Sequence, residues 1–127
     1  MTTSSPLSIL VIGASGRTGL EILRQLSQDT RTKEVHAFCR DPAKIPDQHK
    51  ALCQSIVKGD ARSSDDIERA IDDSNAQVVI VSVGNGDSVA KSDVRTASAR
   101  ALARIMEKPQ YHHVHALVVS STGAGTS

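Results

Sequence analysis

The chain has 127 residues, of which 39% are hydrophobic and 23% are charged, and its formal net charge is +1. This length accommodates one domain with a buried core and not two. The near-neutral charge and the scarcity of aromatic residues argue against a nucleic-acid partner, because such proteins need basic patches or stacking platforms. No apolar run is long enough to cross a membrane, and residues 1–8 lack the features of a signal peptide. We expect a cytoplasmic protein with neither a nucleic-acid nor a membrane partner.

The strongest signal lies in residues 9–20, ILVIGASGRTGL. Four aliphatic residues predict a parallel strand buried on both faces, and Gly13, Gly16 and Gly19 follow at three-residue intervals. Such a turn needs positions without a Cβ, where the backbone adopts unusual dihedral angles and approaches a ligand closely. The helix that follows directs its unpaired N–H groups over the turn, which is typical of a diphosphate site. Because G-x-x-G-x-x-G differs from the commoner G-x-G-x-x-G, a turn that binds nothing stays the alternative.

Strands and helices alternate along the rest of the chain. The patterns predict strands at 7–12, 34–39, 55–58, 78–83 and 114–119, and helices at 16–28, 47–54, 64–73 and 89–107. A capping box is predicted at Ser63, since the acid Asp66 follows this hydroxyl by three residues. Right-handed crossovers then give an α/β, Rossmann-type doubly wound parallel sheet of five strands in the order 3-2-1-4-5, with helices on both faces. We expect one domain over residues 1–127.

The carboxyl ends of the strands are the edge where such sheets bind ligands. Arg40 follows the second strand, where folds selective for NAD usually carry an acid. A guanidinium suits a 2′-phosphate, and Arg17 in the glycine turn can reach the same group, so the pair favours NADP(H) over NAD(H). Asp41 is counter-evidence, because its carboxylate can accept a hydrogen bond from a ribose hydroxyl. Two solvated surface arginines are the other alternative.

Polar residues also follow the remaining strands. Asp60 can accept a hydrogen bond from an adenine amino group or can form an Asx turn. Val83 and Gly84 follow the fourth strand, beside the expected inner ribose. Ser120 and Ser121 follow the fifth strand, where a hydroxyl can hydrogen-bond a substrate carbonyl or cap a helix.

The cysteines and histidines do not predict a metal site. Two cysteines without C-x-x-C spacing indicate free thiols, not a disulfide framework or a zinc site. His112, His113 and His115 lie just before and at the start of the fifth strand, at the amino end of the sheet, and no carboxylate or cysteine nearby completes a ligand set. We expect a surface histidine cluster.

Five motifs occur in a familiar order: GASGRTG, FCRDPAK, VKGDA, VVIVSVG and LVVSSTGAG. Together they cover essentially the whole chain and resemble the atypical short-chain dehydrogenase/reductases, in the NAD(P)-binding group that includes NmrA-like proteins and biliverdin reductase B, a flavin reductase. The resemblance implies an NADP(H)-dependent oxidoreductase that transfers hydride to a small carbonyl, quinone or flavin substrate. NmrA-like proteins imply the alternative, a non-catalytic NADP(H)-binding regulator or redox sensor.

The resemblance also implies a role for each matching residue. The diphosphate would be held by Gly13, Ser15, Gly16, Arg17, Thr18 and Gly19, the 2′-phosphate by Arg40, the adenine by Asp60 and Ala61, and the inner ribose by Val83 and Gly84. Ser121, with Ser120 or Thr122, would lie at the reaction centre, with Ser121 as the catalytic hydrogen-bond donor.

The chain departs from the resemblance in two ways. The Y-x-x-x-K pair of many short-chain dehydrogenases is missing, and the single tyrosine, Tyr111, lies at the wrong end of the predicted sheet. Relatives such as biliverdin reductase B also lack the pair, so its absence does not exclude reduction. Such proteins also continue well past the fifth strand. We therefore expect a fragment without the substrate-binding part, or a half that needs a partner, with the uncovered fifth strand open to self-association.

Overall fold

The computed structural model describes residues 7–14, 16–28, 32–82 and 89–118. In these ranges the strands are β1 (Leu7–Ile12), β2 (Thr32–Cys39), β3 (Ser55–Lys58), β4 (Val78–Val81) and β5 (His115–Val118). The helices are α1 (Arg17–Ser27), α2 (Asp47–Lys50), α3 (Ser64–Ser74) and α4 (Val89–Met106), and short 3₁₀ turns occur at Pro42–Lys44 and Pro109–Tyr111.

The five strands form one parallel sheet in the order β3-β2-β1-β4-β5. The predicted fold class and strand order are therefore confirmed. β1 pairs with β2 on one side and with β4 on the other, and Ile12 lies opposite both Phe38 and Val81. The three central strands thus end at one edge, beside the switch point at which doubly wound sheets bind ligands.

Side chains along each strand alternate between the two faces of the sheet, so both faces are apolar. Helices cover both of them. On one face the strands pack against α3 and α4, and on the other they pack against α1. The largest buried side chains in the first layer are Leu10, Ile12, Phe38, Ile67 and Ile105, and those in the second are Val11, Leu23 and Ile45.

The helix predicted at 47–54 is a single turn that ends at Lys50. Beyond it, the N–H groups of Leu52 and Cys53 donate three residues back, to His49 and Lys50, in turn geometry. The next amide, on Gln54, already donates to the carbonyl of Val35 on β2 at 2.6 Å. Pairing with the sheet therefore ends this helix early.

One of the two hydrogen bonds of the capping box predicted at Ser63 is present. Ser63 Oγ accepts a hydrogen bond from the backbone N–H of Asp66 at 3.2 Å, and α3 begins at the next residue. The reciprocal bond differs, because the Asp66 carboxylate accepts from the N–H of Asp60 at 3.0 Å. The acid thus ties the end of β3 to the start of α3.

In the sheet formed by the described residues, β5 lies at one edge and pairs with β4. His115, Ala116 and Leu117 are exposed along it, and Leu117 retains 55% of its accessible surface. In the part of the chain that the structure describes, no helix combines the length and the apolar character needed to cross a membrane.

Candidate functional site

The turn between β1 and α1 is anchored to the end of β2. The N–H groups of Gly13 and Ala14 both donate to the carbonyl oxygen of Phe38, at 2.8 and 3.2 Å. Gly13 has a φ of 82°, in the left-handed region that favours glycine. The N–H of Gly13 is therefore used within the fold, and Gly13 contributes a backbone conformation to the site and not a free donor.

Gly19 and Gly16 differ in what surrounds them. A Cβ on Gly19 would lie 2.4 Å from the carbonyl oxygen of Gly13 and 2.8 Å from Cα of Ala14. The nearest neighbour of a Cβ on Gly16 would be the same Gly13 oxygen at 3.6 Å, an ordinary van der Waals contact. The fold thus requires glycine at position 19 but leaves room for a methyl group at position 16.

Among the described residues, no side chain caps the first backbone N–H groups of α1. Its N-cap residue, Gly16, makes no side-chain cap, and the first turn contains no acidic residue. Helix geometry leaves the amides of Arg17, Thr18 and Gly19 without an intrahelical acceptor, whereas Leu20 donates to the carbonyl of Gly16 at 2.8 Å. These amides and the positive end of the helix dipole favour an anion such as a phosphate.

Arg40 lies at the carboxyl edge, one residue past β2, and is exposed. The neighbouring acid, Asp41, is the residue that sequence reasoning weighed against it. The Asp41 carboxylate accepts a hydrogen bond from the N–H of Ala43 at 3.1 Å and caps the 3₁₀ turn at Pro42–Lys44. Arg40 is therefore next to an acid that already has a structural role.

Asp60 and Ala61 lie at the same edge, just beyond β3. The Asp60 carboxylate accepts from the N–H of Arg62 at 2.9 Å, so the structure forms the Asx turn that was one of the two alternatives. Ala61 is half-buried against the α3/α4 layer. The chain approaches β2 closely here, since a Cβ on Gly59 would lie 2.6 Å from the ring of Phe38.

Sequence reasoning missed Ser82, which follows β4 beside the glycine turn. It is 2% exposed, and its N–H donates to the carbonyl oxygen of Ile12 at 2.8 Å. Its Oγ is buried without a hydrogen-bond partner among the described residues. Strand alternation places the side chain on the same face as Ile80, which is the α1 face. The signal in the sequence is a single hydroxyl that interrupts the apolar run of residues 78–83.

The other expected site residues cannot be placed. Ser15, Val83, Gly84, Ser120 and Ser121 lie outside the described residues, as does Thr122. For Arg17 and Thr18 the structure describes the backbone but not the side chains.

Cys39 and Cys53 are free thiols, as predicted. Burial raises the pKa of Cys39, and it raises that of Cys53 to about 11, with a smaller contribution from the nearby Cys39. Both sulfurs are therefore protonated near neutral pH and are poor nucleophiles. Within ranges 7–14, 16–28, 32–82 and 89–118, no three His, Cys, Asp or Glu residues are grouped so that they can hold a metal ion.

Comparisons with known proteins agree with this geometry. The chain matches the model of the family described as NAD(P)H-binding over residues 13–127. It is 39% identical over 77 residues to the decarboxylating sterol-4-alpha-carboxylate 3-dehydrogenase of Saccharomyces cerevisiae, a match that covers 58% of this chain and 22% of the relative.

Solved structures are similar to this chain in fold. A dTDP-glucose 4,6-dehydratase from Bacillus anthracis, in complex with NAD, has a TM-score of 0.72 and 20% identity, over 90% of this chain and 37% of that one. A short-chain dehydrogenase/reductase from Veillonella parvula, in complex with NADP, has a TM-score of 0.61 and 21% identity, over 93% and 49%. The chain thus spans less than half the length of each of these three proteins. The chain belongs to the family described as NAD(P)H-binding, which confirms the predicted NAD(P)-binding group, and it shares its fold with the short-chain dehydrogenase/reductase from Veillonella parvula.

Proposed function

We propose that the protein is an NADP(H)-dependent oxidoreductase that transfers hydride between the cofactor and a small carbonyl, quinone or flavin substrate. The observation that carries the proposal is the uncapped N-terminus of α1 above Gly16. Gly16 supplies no capping side chain, and helix geometry leaves the amides of Arg17, Thr18 and Gly19 without an intrahelical acceptor. These donors suit the diphosphate of a dinucleotide, which accepts hydrogen bonds and carries negative charge.

Ser82 supports the same position for the cofactor. A buried hydroxyl without a partner costs about 1–3 kcal/mol, so such atoms usually serve a ligand or an ordered water. The Ser82 N–H is bonded to Ile12, the residue before the glycine turn, and neighbouring strands lie about 5 Å apart. We infer that the Ser82 hydroxyl donates to the diphosphate or to the adjoining ribose.

Arg40 is the residue that we propose to select NADP(H). Its guanidinium is exposed at the edge where the adenosine ribose is expected. Asp41, the competing acid, uses one carboxylate oxygen to accept from the N–H of Ala43 and so has a structural role of its own. A 2′-phosphate would gain charge-assisted hydrogen bonds from Arg40, and Arg17 is proposed to assist.

The remaining assignments stay predictions. Asp60 and Ala61 are proposed to bind the adenine, although one Asp60 oxygen is used in its Asx turn. Val83, Gly84 and Ser120 are proposed beside the inner ribose and nicotinamide, and Ser121 is proposed to donate to the substrate carbonyl. The bound nicotinamide supplies the hydride, and the chain's own task is to bind and orient it.

Partners and location follow from the same proposal. The chain spans 22% to 49% of the relatives described above, so the substrate and any further segment that binds it remain proposals. The exposed Leu117 on the edge strand β5 supports self-association of two copies. A cytoplasmic location and the absence of nucleic-acid and membrane partners stay predictions.

Cofactor titration tests the proposal. The nicotinamide fluorescence of NADPH and of NADH is followed as the protein is added, and cofactor consumption is then measured with a flavin or a quinone present. We expect tighter binding of NADPH than of NADH, and turnover in the second assay. Binding without turnover would instead support the NADP(H)-binding regulator, and no binding by a folded sample would overturn both.

Arg40→Asp tests the cofactor preference. Loss of a charge-assisted hydrogen bond costs about 1.5–3 kcal/mol, so affinity for NADPH should fall about tenfold to a hundredfold. Affinity for NADH should change little. Arg104→Asp is the control, since Arg104 is exposed in the last turn of α4, away from the carboxyl edge. Equal discrimination in Arg40→Asp and in the unmodified chain would remove Arg40 from the site.

A further inference from the structure

A second group of reactive side chains lies on β2 and β3, and the proposed cofactor site does not use it. His36 Nδ1 lies 2.6 Å from Ser55 Oγ, and His36 Nε2 lies 3.0 Å from a carboxylate oxygen of Glu34. The imidazole is buried, the glutamate is half-buried and the serine is exposed. His36 pairs with Ser55, the first residue of β3, so the group lies toward the amino ends of the strands.

Glu34 determines which imidazole nitrogen carries the proton. A carboxylate is only an acceptor, so its bond to Nε2 requires a hydrogen on Nε2. In the neutral imidazole, Nδ1 then keeps its lone pair and accepts from the Ser55 hydroxyl. Nucleophile, base and orienting acid are therefore connected in the order that activates a serine.

The open edge of β3 provides a donor for a developing negative charge. Gln54 donates its N–H to Val35 on β2 at 2.6 Å. Backbone groups alternate in direction along a strand, so the N–H of Ser55 is directed away from β2, toward the side of β3 that has no strand neighbour among the described residues. This amide is on the same residue as the hydroxyl and is oriented to stabilise an oxyanion formed there.

We propose that Ser55, His36 and Glu34 transfer acyl groups from small activated esters to water. Ser55 Oγ attacks the ester carbonyl carbon while its proton moves to His36 Nδ1. The C–O bond to the leaving group then breaks, the departing alkoxide takes that proton, and the acyl group stays on Ser55. Water attacks the acyl carbon and gives a proton to Nδ1, and this proton returns to Ser55 Oγ as the carboxylic acid leaves. Ser55 and His36 are the catalytic residues, and Glu34 is a positioning residue.

Covalent labelling of the full chain tests the nucleophile. The protein is incubated with a fluorophosphonate probe, and separately with p-nitrophenyl acetate, and intact mass and peptide mapping locate the adduct. We expect one adduct, on Ser55, and release of p-nitrophenol, both of which Ser55→Ala abolishes. Ser27→Ala is the control, because Ser27 is exposed but its Oγ donates to the carbonyl of Arg24. No adduct, or an unchanged rate in Ser55→Ala, would overturn the proposal.

Three further variants distinguish catalysis by this group from a purely structural link between β2 and β3. His36→Gln keeps polar atoms at the buried position but removes the base, and we expect labelling of Ser55 to slow about a hundredfold or more. Glu34→Gln should slow it about tenfold, and Glu34→Asp should restore part of the rate. Labelling is compared with the unfolding midpoint of each variant. A lower midpoint with an unchanged labelling rate in Glu34→Gln would show that the group only joins β2 to β3. Because NADPH is absent from these assays, their outcome is independent of the proposed oxidoreductase.

Discussion

The carbonyl oxygen of Gly13 lies 2.4 Å from the point that a Cβ on Gly19 would occupy. The contact is this short because α1 begins directly against the glycine turn, and the blocking atom belongs to the backbone. Overpacking of this kind costs about 1–3 kcal/mol. We therefore expect Gly19→Ala to lower the free energy of unfolding by about that amount, as measured by urea denaturation without cofactor.

Gly16→Ala should affect cofactor affinity more than stability. The new methyl group would have its nearest neighbour at 3.6 Å, so the free energy of unfolding should change by no more than about 1 kcal/mol. If the diphosphate binds at this N-cap as proposed, the added methyl group would crowd it. We expect affinity for NADPH to fall about tenfold or more in fluorescence titration. Wild-type affinity in this variant would mean that the diphosphate binds elsewhere.

Ser82→Ala separates a ligand contact from a folding contact. Because Ser82 Oγ has no partner among the described residues, its removal should leave the stability of the cofactor-free protein unchanged or raise it. Affinity for NADPH should fall about threefold to tenfold, the equivalent of one hydrogen bond.

Ser74→Ala is the matched control for Ser82→Ala. Ser74 is equally buried, but its Oγ donates to the carbonyl of Ile71 at 3.3 Å, at the other end of the sheet. This variant should lose about 0.5–1.5 kcal/mol of stability and keep its cofactor affinity. If Ser82→Ala showed the same pattern as Ser74→Ala, the Ser82 hydroxyl would have no part in binding.

Ionisation of Tyr111 should lower the stability of the fold at high pH. Its hydroxyl donates to Asp72 at 2.6 Å and lies 3.0 Å from Glu68, which Lys108 also contacts. Burial, followed by the bond to Asp72, raises the pKa of Tyr111 from 10.0 to about 12. A raised pKa favours the protonated form in the folded state, so this stabilisation is present below pH 10 and disappears as the pH rises toward 12.

The comparison of wild type with Tyr111→Phe isolates this effect from other groups that titrate at high pH. We expect Tyr111→Phe to be about 1 kcal/mol less stable at pH 8, because a hydrogen bond is lost. Between pH 10 and 12 the difference from wild type should shrink. A constant difference across this range would show that the phenol titrates as it does in the unfolded chain.

The sequence was sufficient for the fold because local pattern and long-range pairing agree. β1 and β3 have the predicted bounds, and the strand order follows from crossover handedness once the five strands are recognised. The errors lie where a distant contact overrides a local preference. α2 ends at Lys50 because the N–H of Gln54 donates to the carbonyl of Val35 on β2. The Asp66 carboxylate accepts from the N–H of Asp60 and not from that of Ser63.

The site was harder to predict, because spacing does not reveal what each residue contacts. Three equally spaced glycines differ in their surroundings: Gly13 adopts a left-handed conformation, Gly19 allows close packing, and Gly16 would accept a methyl group at ordinary contact distance. Ser82 was missed, since what distinguishes it from a serine in any strand is a buried hydroxyl that has no partner among the described residues. The group formed by Glu34, His36 and Ser55 was missed as well, because its members are brought together by the pairing of β2 with β3.

Phe38 joins two regions that are far apart in the sequence. Its main chain holds the glycine turn, and its ring contacts the backbone at Gly59, next to the residues proposed for the adenine. Phe38 therefore sets the separation between the glycine turn, where we propose that the diphosphate binds, and the residues proposed for the adenine. A smaller side chain at position 38 would keep the main-chain bonds to the glycine turn but would allow the backbone at Gly59 to shift. We expect such a protein still to bind the diphosphate of a dinucleotide but to discriminate less well between ligands that differ in the distance from diphosphate to base.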